Sequence, residues 1–122
     1  SKSRNKVKKI RSAVAFKSDN REKLEIIFRR EKVQLTNTEQ EKLDKVAIKL
    51  LNKPDQRLQL VAYATTASEN AGAARRLSLL RALEIRNILI QKGVSATTMS
   101  VRALGDRVKS DPPDRVDIIM TK

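Results

Sequence analysis

The sequence predicts an α+β fold, a two-layer α/β sandwich in which helices pack on one face of a small mixed sheet. Four short segments are rich in β-branched and aliphatic residues, and two longer segments between them carry apolar residues at helical spacing, giving the order βαβαββ. The last two strand segments are joined through Asp111-Pro112-Pro113, a stretch too short and irregular for a helical crossover. We therefore expect strands of both directions in one sheet.

The first half of the chain contains one strand and one helix. Residues 24–28 suit a strand because they are mostly β-branched, aliphatic and aromatic. Thr36 and Glu39 have the spacing of a capping box, which predicts that the helix begins there. Pro54 ends the helix. The apolar stripe of this helix consists of Leu43, Val46, Ala47, Leu50 and Leu51.

The second half contains a long helix over residues 74–93, which follows a loop and ends at Gly93. Ser68 and Asn70 are both candidates for its N-terminal cap. The three remaining strands are expected at residues 58–63, 100–104 and 115–120.

The long helix has two apolar stripes. At about 100° per residue, one stripe suits packing on the sheet and a second lies about 60–100° away. The second stripe predicts that the N-terminal arm or another chain packs there, so a homodimer or an envelope protein partner is possible. The first stripe comprises Ser78, Ala82, Ile85 and Leu89, and the second comprises Leu79, Leu83 and Ile90.

The composition argues against an enzyme. The chain has no Cys and no His, which removes thiolate metal sites, histidine-based triads and the commonest metal ligand. No pair of carboxylates lies in an apolar segment that would raise a pKa for acid or base catalysis. We expect no catalytic residues, no cofactor and no metal site.

The positive charge is concentrated at the N-terminus. Of the net charge of +13, residues 1–17 contribute seven Lys or Arg and no acid. We predict a basic arm or linker over residues 1–20 and one domain over residues 21–122. The arm either contacts polyanions such as an anionic membrane surface or is solvated. The low aromatic content, 2% of the chain, argues against nucleic acid as a partner.

The chain contains no apolar run of the roughly 20 residues that a membrane-spanning helix needs. Its first residues also lack the apolar stretch of a signal peptide. We therefore expect no membrane-spanning segment in this sequence.

Arg81 is the residue that most needs an explanation, because it lies among apolar neighbours in the long helix. A buried guanidinium is costly unless an anion meets it. One reading is a carboxylate supplied by a ligand in a shallow cleft. The other is an internal salt bridge with Asp114 or Asp117.

The order of elements and several motifs resemble the C-terminal domain of OmpA, a family shared with Pal lipoproteins and MotB-type motor stators. The resemblance covers about residues 24–120. Its most specific parts are Leu-Ser-x-x-Arg-Ala at residues 77–82 and Arg-Val-Asp-Ile at residues 115–118.

This resemblance implies a non-catalytic domain of the bacterial envelope that associates with peptidoglycan, as the periplasmic part of a longer membrane-attached protein. In the family, the Asp of a Thr-Asp pair binds the ammonium group of diaminopimelate, and the Arg of Leu-Ser-x-x-Arg-Ala binds a carboxylate. Arg81 matches this Arg and Thr65 matches the Thr, but Thr66 stands where the Asp belongs. The ligand-binding residues implied are Thr65, Thr66, Arg81 and Arg115.

The departure at Thr66 weakens the expected binding. A hydrogen bond to a charged group contributes about 1.5–3 kcal/mol, so its loss predicts roughly ten- to hundredfold weaker capture of the ammonium end. The alternative function is an OmpA-like protein-interaction or assembly module that no longer binds peptidoglycan.

Overall fold

The structure, a computed structural model, describes residues 22–68, 70–108 and 110–121. The basic arm expected at residues 1–20 lies outside the described residues. Within them the chain forms four strands and two α-helices, with a single 3₁₀ turn at Ala96–Thr98. In chain order the elements are β1 (Lys23–Ile27), α1 (Asn37–Leu51), β2 (Arg57–Tyr63), α2 (Ala71–Gln91), β3 (Met99–Ala103) and β4 (Arg115–Thr121).

The sheet is mixed, as the sequence predicts, with the strand order β1-β4-β2-β3. Strand β4 runs antiparallel to both β1 and β2, whereas β2 and β3 are parallel. The parallel pair follows from the crossover through α2, and the irregular connection after β3 lets the chain reverse into β4. Since β4 lies between β1 and β2, its first residues meet the ends of both strands.

The helix caps agree with the sequence analysis in part. Thr36 Oγ1 accepts from the Glu39 amide at 3.4 Å, but the Glu39 carboxylate pairs with Lys42 Nζ at 3.0 Å and does not complete the capping box. Asn70 is the cap of α2, because its Oδ1 accepts from the Ala73 amide at 3.1 Å. Helix α2 therefore begins three residues earlier than the expected Ala74.

The core lies between the sheet and one face of the two helices. Ser78, Ala82, Ile85 and Leu89, the predicted sheet-facing stripe of α2, are all fully buried. Among the described residues, the exposed large hydrophobics are all on the outer surface of α1 and α2: Ile48, Leu51, Leu79, Leu80 and Leu83.

In the part of the chain that the structure describes, no helix combines the length and apolarity needed to cross a membrane.

Candidate functional site

Arg81 lies on the buried face of α2 with none of its side chain exposed. Its Nη1 atom donates to Asp114 Oδ1 at 2.8 Å and to the Tyr63 carbonyl at 3.2 Å. Its Nε donates to the Lys32 carbonyl at 2.8 Å, and its Nη2 donates to the Arg29 carbonyl at 2.9 Å. All three guanidinium nitrogens are therefore hydrogen-bonded within the chain.

Asp114, immediately before β4, supplies the anion that Arg81 needs. Besides the bond to Arg81, its carboxylate accepts from the Thr65 amide at 2.9 Å and from Thr65 Oγ1 at 2.8 Å. Burial alone would raise the pKa of Asp114, but the hydrogen bonds from Arg81 and Thr65 outweigh burial and hold the pKa below its ordinary value. Asp114 is thus an ionised, triply hydrogen-bonded counterion.

A tight turn at residues 29–32 closes the other side of the guanidinium. Its first and last carbonyls accept from Arg81, and Glu31 within it has a positive φ of 61°. The Ala67 amide donates to Glu31 Oε2 at 3.3 Å, which ties this turn to the loop after β2. The Phe28 ring lies against the guanidinium carbon, 4.9 Å from ring centroid to carbon. Sequence reasoning missed this turn because its carbonyls, not its side chains, make the contacts.

Of the Thr65–Thr66 pair, only Thr65 belongs to the Arg81 cluster, through Asp114. Thr66 is partly exposed, and its hydroxyl lies 3.2 Å from Ser68 Oγ. In residues 22–68, 70–108 and 110–121, Thr66 has no hydrogen bond to Arg81. The residue in the place of the family's Asp therefore does not contact the guanidinium.

Arg115 is also buried and also paired within the chain. Its Nε donates to Asp117 Oδ1 at 2.9 Å, and its guanidinium carbon lies 4.5 Å from the centre of the Tyr63 ring. Its Nη1 donates to the carbonyls of Ser110 and Pro112. Arg115 and Asp117 expose only 3% and 4% of their surfaces, so this pair is as internal as the one at Arg81.

The structure does not bring Arg115 and Arg81 together in one cluster. Successive side chains of a strand point to opposite faces of the sheet, so Arg115 and Asp114 point to opposite faces. Asp114 reaches Arg81 on the helix face, whereas Arg115 pairs with Asp117 on the other face. Of the two internal partners that the sequence offered for Arg81, Asp114 is the correct one.

The Arg81 side chain is not exposed in the structure, and each of its guanidinium nitrogens donates to a group of the chain itself. A groove of about 420 Å³ lies at the opposite end of the sheet, between the start of β1 and the end of β4, and is lined in part by Leu24, Val46 and Met120.

Among the described residues, no group of three or more His, Cys, Asp or Glu could hold a metal ion.

Comparison with known proteins places this architecture in a family. The model of the OmpA family matches residues 27–115. No curated protein matches the chain. The solved structure of the peptidoglycan-associated lipoprotein of Burkholderia pseudomallei superposes with a TM-score of 0.68 at 18% identity, over 80% of this chain and 89% of that one.

Two further structures have the same fold. The OmpA-like domain of FopA1 from Francisella tularensis gives a TM-score of 0.65 at 18% identity, over 81% of this chain and 71% of that one. The periplasmic domain of Helicobacter pylori MotB gives a TM-score of 0.65 at 16% identity, over 87% of this chain and 79% of that one. Because the family model spans most of the chain, from the last residue of β1 to the first residue of β4, this protein belongs to the OmpA family.

Proposed function

We propose that this chain is a non-catalytic envelope domain of the OmpA family and that it works as a protein-interaction or assembly module. In this proposal Arg81 pairs with Asp114 inside the domain and does not bind a ligand; we call this ion pair the internal clasp. The observation that carries the proposal is the enclosure of the Arg81 guanidinium by Asp114 and three backbone carbonyls. The OmpA-like peptidoglycan clamp needs an Arg that is free to receive a carboxylate from outside.

Energetics favour the internal partner over an external one. Asp114 is held by Thr65 and needs no loss of translational freedom to reach Arg81, whereas a stem peptide must lose that freedom on binding. A ligand carboxylate that displaced Asp114 would also leave a partly buried carboxylate without its cation, which is strongly unfavourable. We therefore expect Arg81 to stay on Asp114 in the presence of peptidoglycan fragments.

The bacterial periplasm is the proposed location, with attachment to a membrane through a region outside this sequence. The support comes from the relatives: one is named a peptidoglycan-associated lipoprotein and another is the periplasmic domain of MotB. Family membership also supports the absence of catalysis.

Peptidoglycan association is the second candidate function, and a specific feature favours it. Arginines and a lysine are exposed around the end of the sheet where Arg81 lies, in the turn after β1 and at the start of α2. Stem peptides carry carboxylates, so this rim would attract them by charge without using Arg81. The exposed cations of this rim are Arg29, Arg30, Lys32, Arg75 and Arg76.

Calorimetry with a diaminopimelate-containing stem peptide and sedimentation with purified sacculi test the proposal together. We expect no saturable binding of the peptide, and sacculus binding that fades as salt is raised, because charge attraction between exposed groups is screened. Arg81→Lys, checked for folding by circular dichroism, should behave like the wild type. Saturable, salt-resistant binding that Arg81→Lys abolishes would establish the peptidoglycan clamp and overturn the proposal.

A further inference from the structure

The outer face of α2 brings exposed leucines and arginines together. Leu79, Leu80 and Leu83 are 40%, 53% and 36% exposed, although the sheet-facing side of the same helix is completely buried. At about 100° per residue, the three leucines lie within a sector of about 100°. Arg76 falls in this sector one turn earlier, and Arg75 and Arg86 lie along one margin. We call these six residues the α2 outer face: Arg75, Arg76, Leu79, Leu80, Leu83 and Arg86.

The α2 outer face has no partner within the described protein. None of its three arginines forms an ion pair with an acid in residues 22–68, 70–108 or 110–121. Its leucines add nothing to the core, which Ala82, Ile85 and Leu89 fill from the opposite side of the helix. Glu84, half-buried just beyond Leu80, is the nearest acid on the helix surface, so the outer face remains net cationic.

Charge decides between the possible occupants. A second copy docked by two-fold symmetry would bring the same cationic face of both copies together, which like-charge repulsion opposes. The N-terminal segment is also unsuitable, since residues 1–17 carry seven cations and no acid. Binding hot spots between proteins are rich in Trp, Tyr and Arg, and leucine is under-represented in them. The outer face has arginines but no aromatic residue, and its apolar surface is leucine alone.

We propose that the α2 outer face docks on an anionic lipid bilayer. The leucines would enter the boundary between headgroups and acyl chains, and the arginines would pair with lipid phosphates, as in helices that lie in the plane of a membrane surface. The net charge of +13 steers the whole chain toward such a surface.

Sedimentation with vesicles tests this docking in the full chain. The vesicles are phosphatidylcholine with one third phosphatidylglycerol, compared with phosphatidylcholine alone. We expect binding to the anionic vesicles only, and a drop of about five- to tenfold in Leu80→Ser/Leu83→Ser, since two half-exposed leucines lose their apolar contact. The matched control is Ile48→Ser/Leu51→Ser on α1, whose leucine and isoleucine are 54% and 63% exposed. This control should bind within about twofold of the wild type.

Fluorescence of a dye at a single position identifies the helix face that contacts lipid, and each variant changes only one residue. The chain has no cysteine, so a single Leu83→Cys or Ile48→Cys can carry an environment-sensitive dye with no background labelling. We expect a blue shift on anionic vesicles at position 83 and none at position 48. All sites are exposed, and thermal unfolding verifies that each variant is folded.

Two outcomes would overturn the proposal. Equal dye shifts at both positions would show that no particular helix face contacts lipid. Unchanged vesicle binding by Leu80→Ser/Leu83→Ser would show that the leucines do not contact lipid; sedimentation equilibrium then assigns the face to a second copy if this variant has lost self-association, and to charge attraction alone if it has not.

Discussion

Asp114 Oδ1 lies 2.8 Å from Arg81 Nη1, and the same carboxylate accepts two hydrogen bonds from Thr65. The carboxylate comes from the residue before β4, and the guanidinium comes from the middle of α2. Because β4 lies between β1 and β2, its start is beside the loops that follow both strands. The strand order thus places the Asp114 carboxylate beside the buried Arg81, whereas Thr66 has no carboxylate.

Removing the Asp114 carboxylate should destabilise the domain severely. Asp114→Ala leaves the Arg81 charge buried without a counterion, and breaking a buried pair in this way costs about 3–5 kcal/mol. The measurement is the free energy of unfolding from urea titration. Asp44→Ala is the matched control, because Asp44 pairs with Lys92 at the surface and half of its side chain is exposed. That control should change stability by about 1 kcal/mol or less, and an equally small effect of Asp114→Ala would contradict the clasp.

The same carboxylate should make the domain sensitive to acid. The pKa of Asp114 is lowered in the folded protein, whereas an Asp in an unfolded chain titrates near about 3.9. Its stabilising contribution is therefore complete above about pH 4 and is lost as the pH falls through the lower folded-state pKa. The stability difference between the wild type and Asp114→Asn should shrink from pH 6 toward pH 3 in urea titrations at each pH. A difference that grows toward acid pH would exclude this account.

Gly105 should resist substitution, because it lies against the start of α2. Its φ is +61°, and an added Cβ would be 3.0 Å from the backbone nitrogen of Arg75. Its amide also donates to the buried Ser78 Oγ at 3.1 Å. Gly105→Ala should cost about 2–4 kcal/mol from positive-φ strain and overpacking.

Thermal and urea unfolding measure the effect of Gly105→Ala. Gly72→Ala is its control, because the nearest atoms to an added Cβ there belong to side chains and not to backbone: Oδ1 of the capping Asn70 at 3.2 Å and Nη1 of Arg76 at 3.7 Å. We expect a change of about 1 kcal/mol or less at Gly72, near the N-terminus of α2. Comparable losses at both glycines would mean that packing of the loop after β3 on α2 is unimportant for stability.

The sequence was sufficient for the fold because its signals are local. Periodicity located all four strands and both helices, and Asn70 was one of two caps proposed for α2. The irregular connection before β4 predicted strands of both directions, which the antiparallel pairing of β4 confirms. Each of these features depends on residues that are close in the chain.

The site could be predicted only in part because its contacts are distant in sequence. Arg81 was recognised as a buried cation, but two carboxylates could have served it, and only the alternation of β4 separates Asp114 from Asp117. The carbonyls of Arg29 and Lys32 carry no side-chain signature. The hydrogen bonds that enclose Arg81 therefore depend on backbone positions that the sequence does not reveal.

Reopening the site should require two substitutions together. Thr66→Asp alone supplies the carboxylate that the family uses for an ammonium group, but Arg81 stays paired with Asp114, so we expect only a small gain in affinity for a diaminopimelate-containing stem peptide. In Thr66→Asp/Asp114→Asn, the new carboxylate is present and the guanidinium has lost its internal anion. A charge-assisted hydrogen bond from Arg81 to the ligand should then give about ten- to hundredfold tighter binding than in the wild type.

Calorimetry with the same stem peptide measures this gain, and Asp114→Asn alone is the control for the reopened arginine without the new carboxylate. The control should show a smaller gain than the double variant, because only one of the two ligand charges is then met. Binding by Thr66→Asp alone that is as tight as binding by the double variant would mean that Arg81 is available to ligands despite Asp114. In that case the internal clasp does not block recognition, and the peptidoglycan clamp becomes the better account of Arg81.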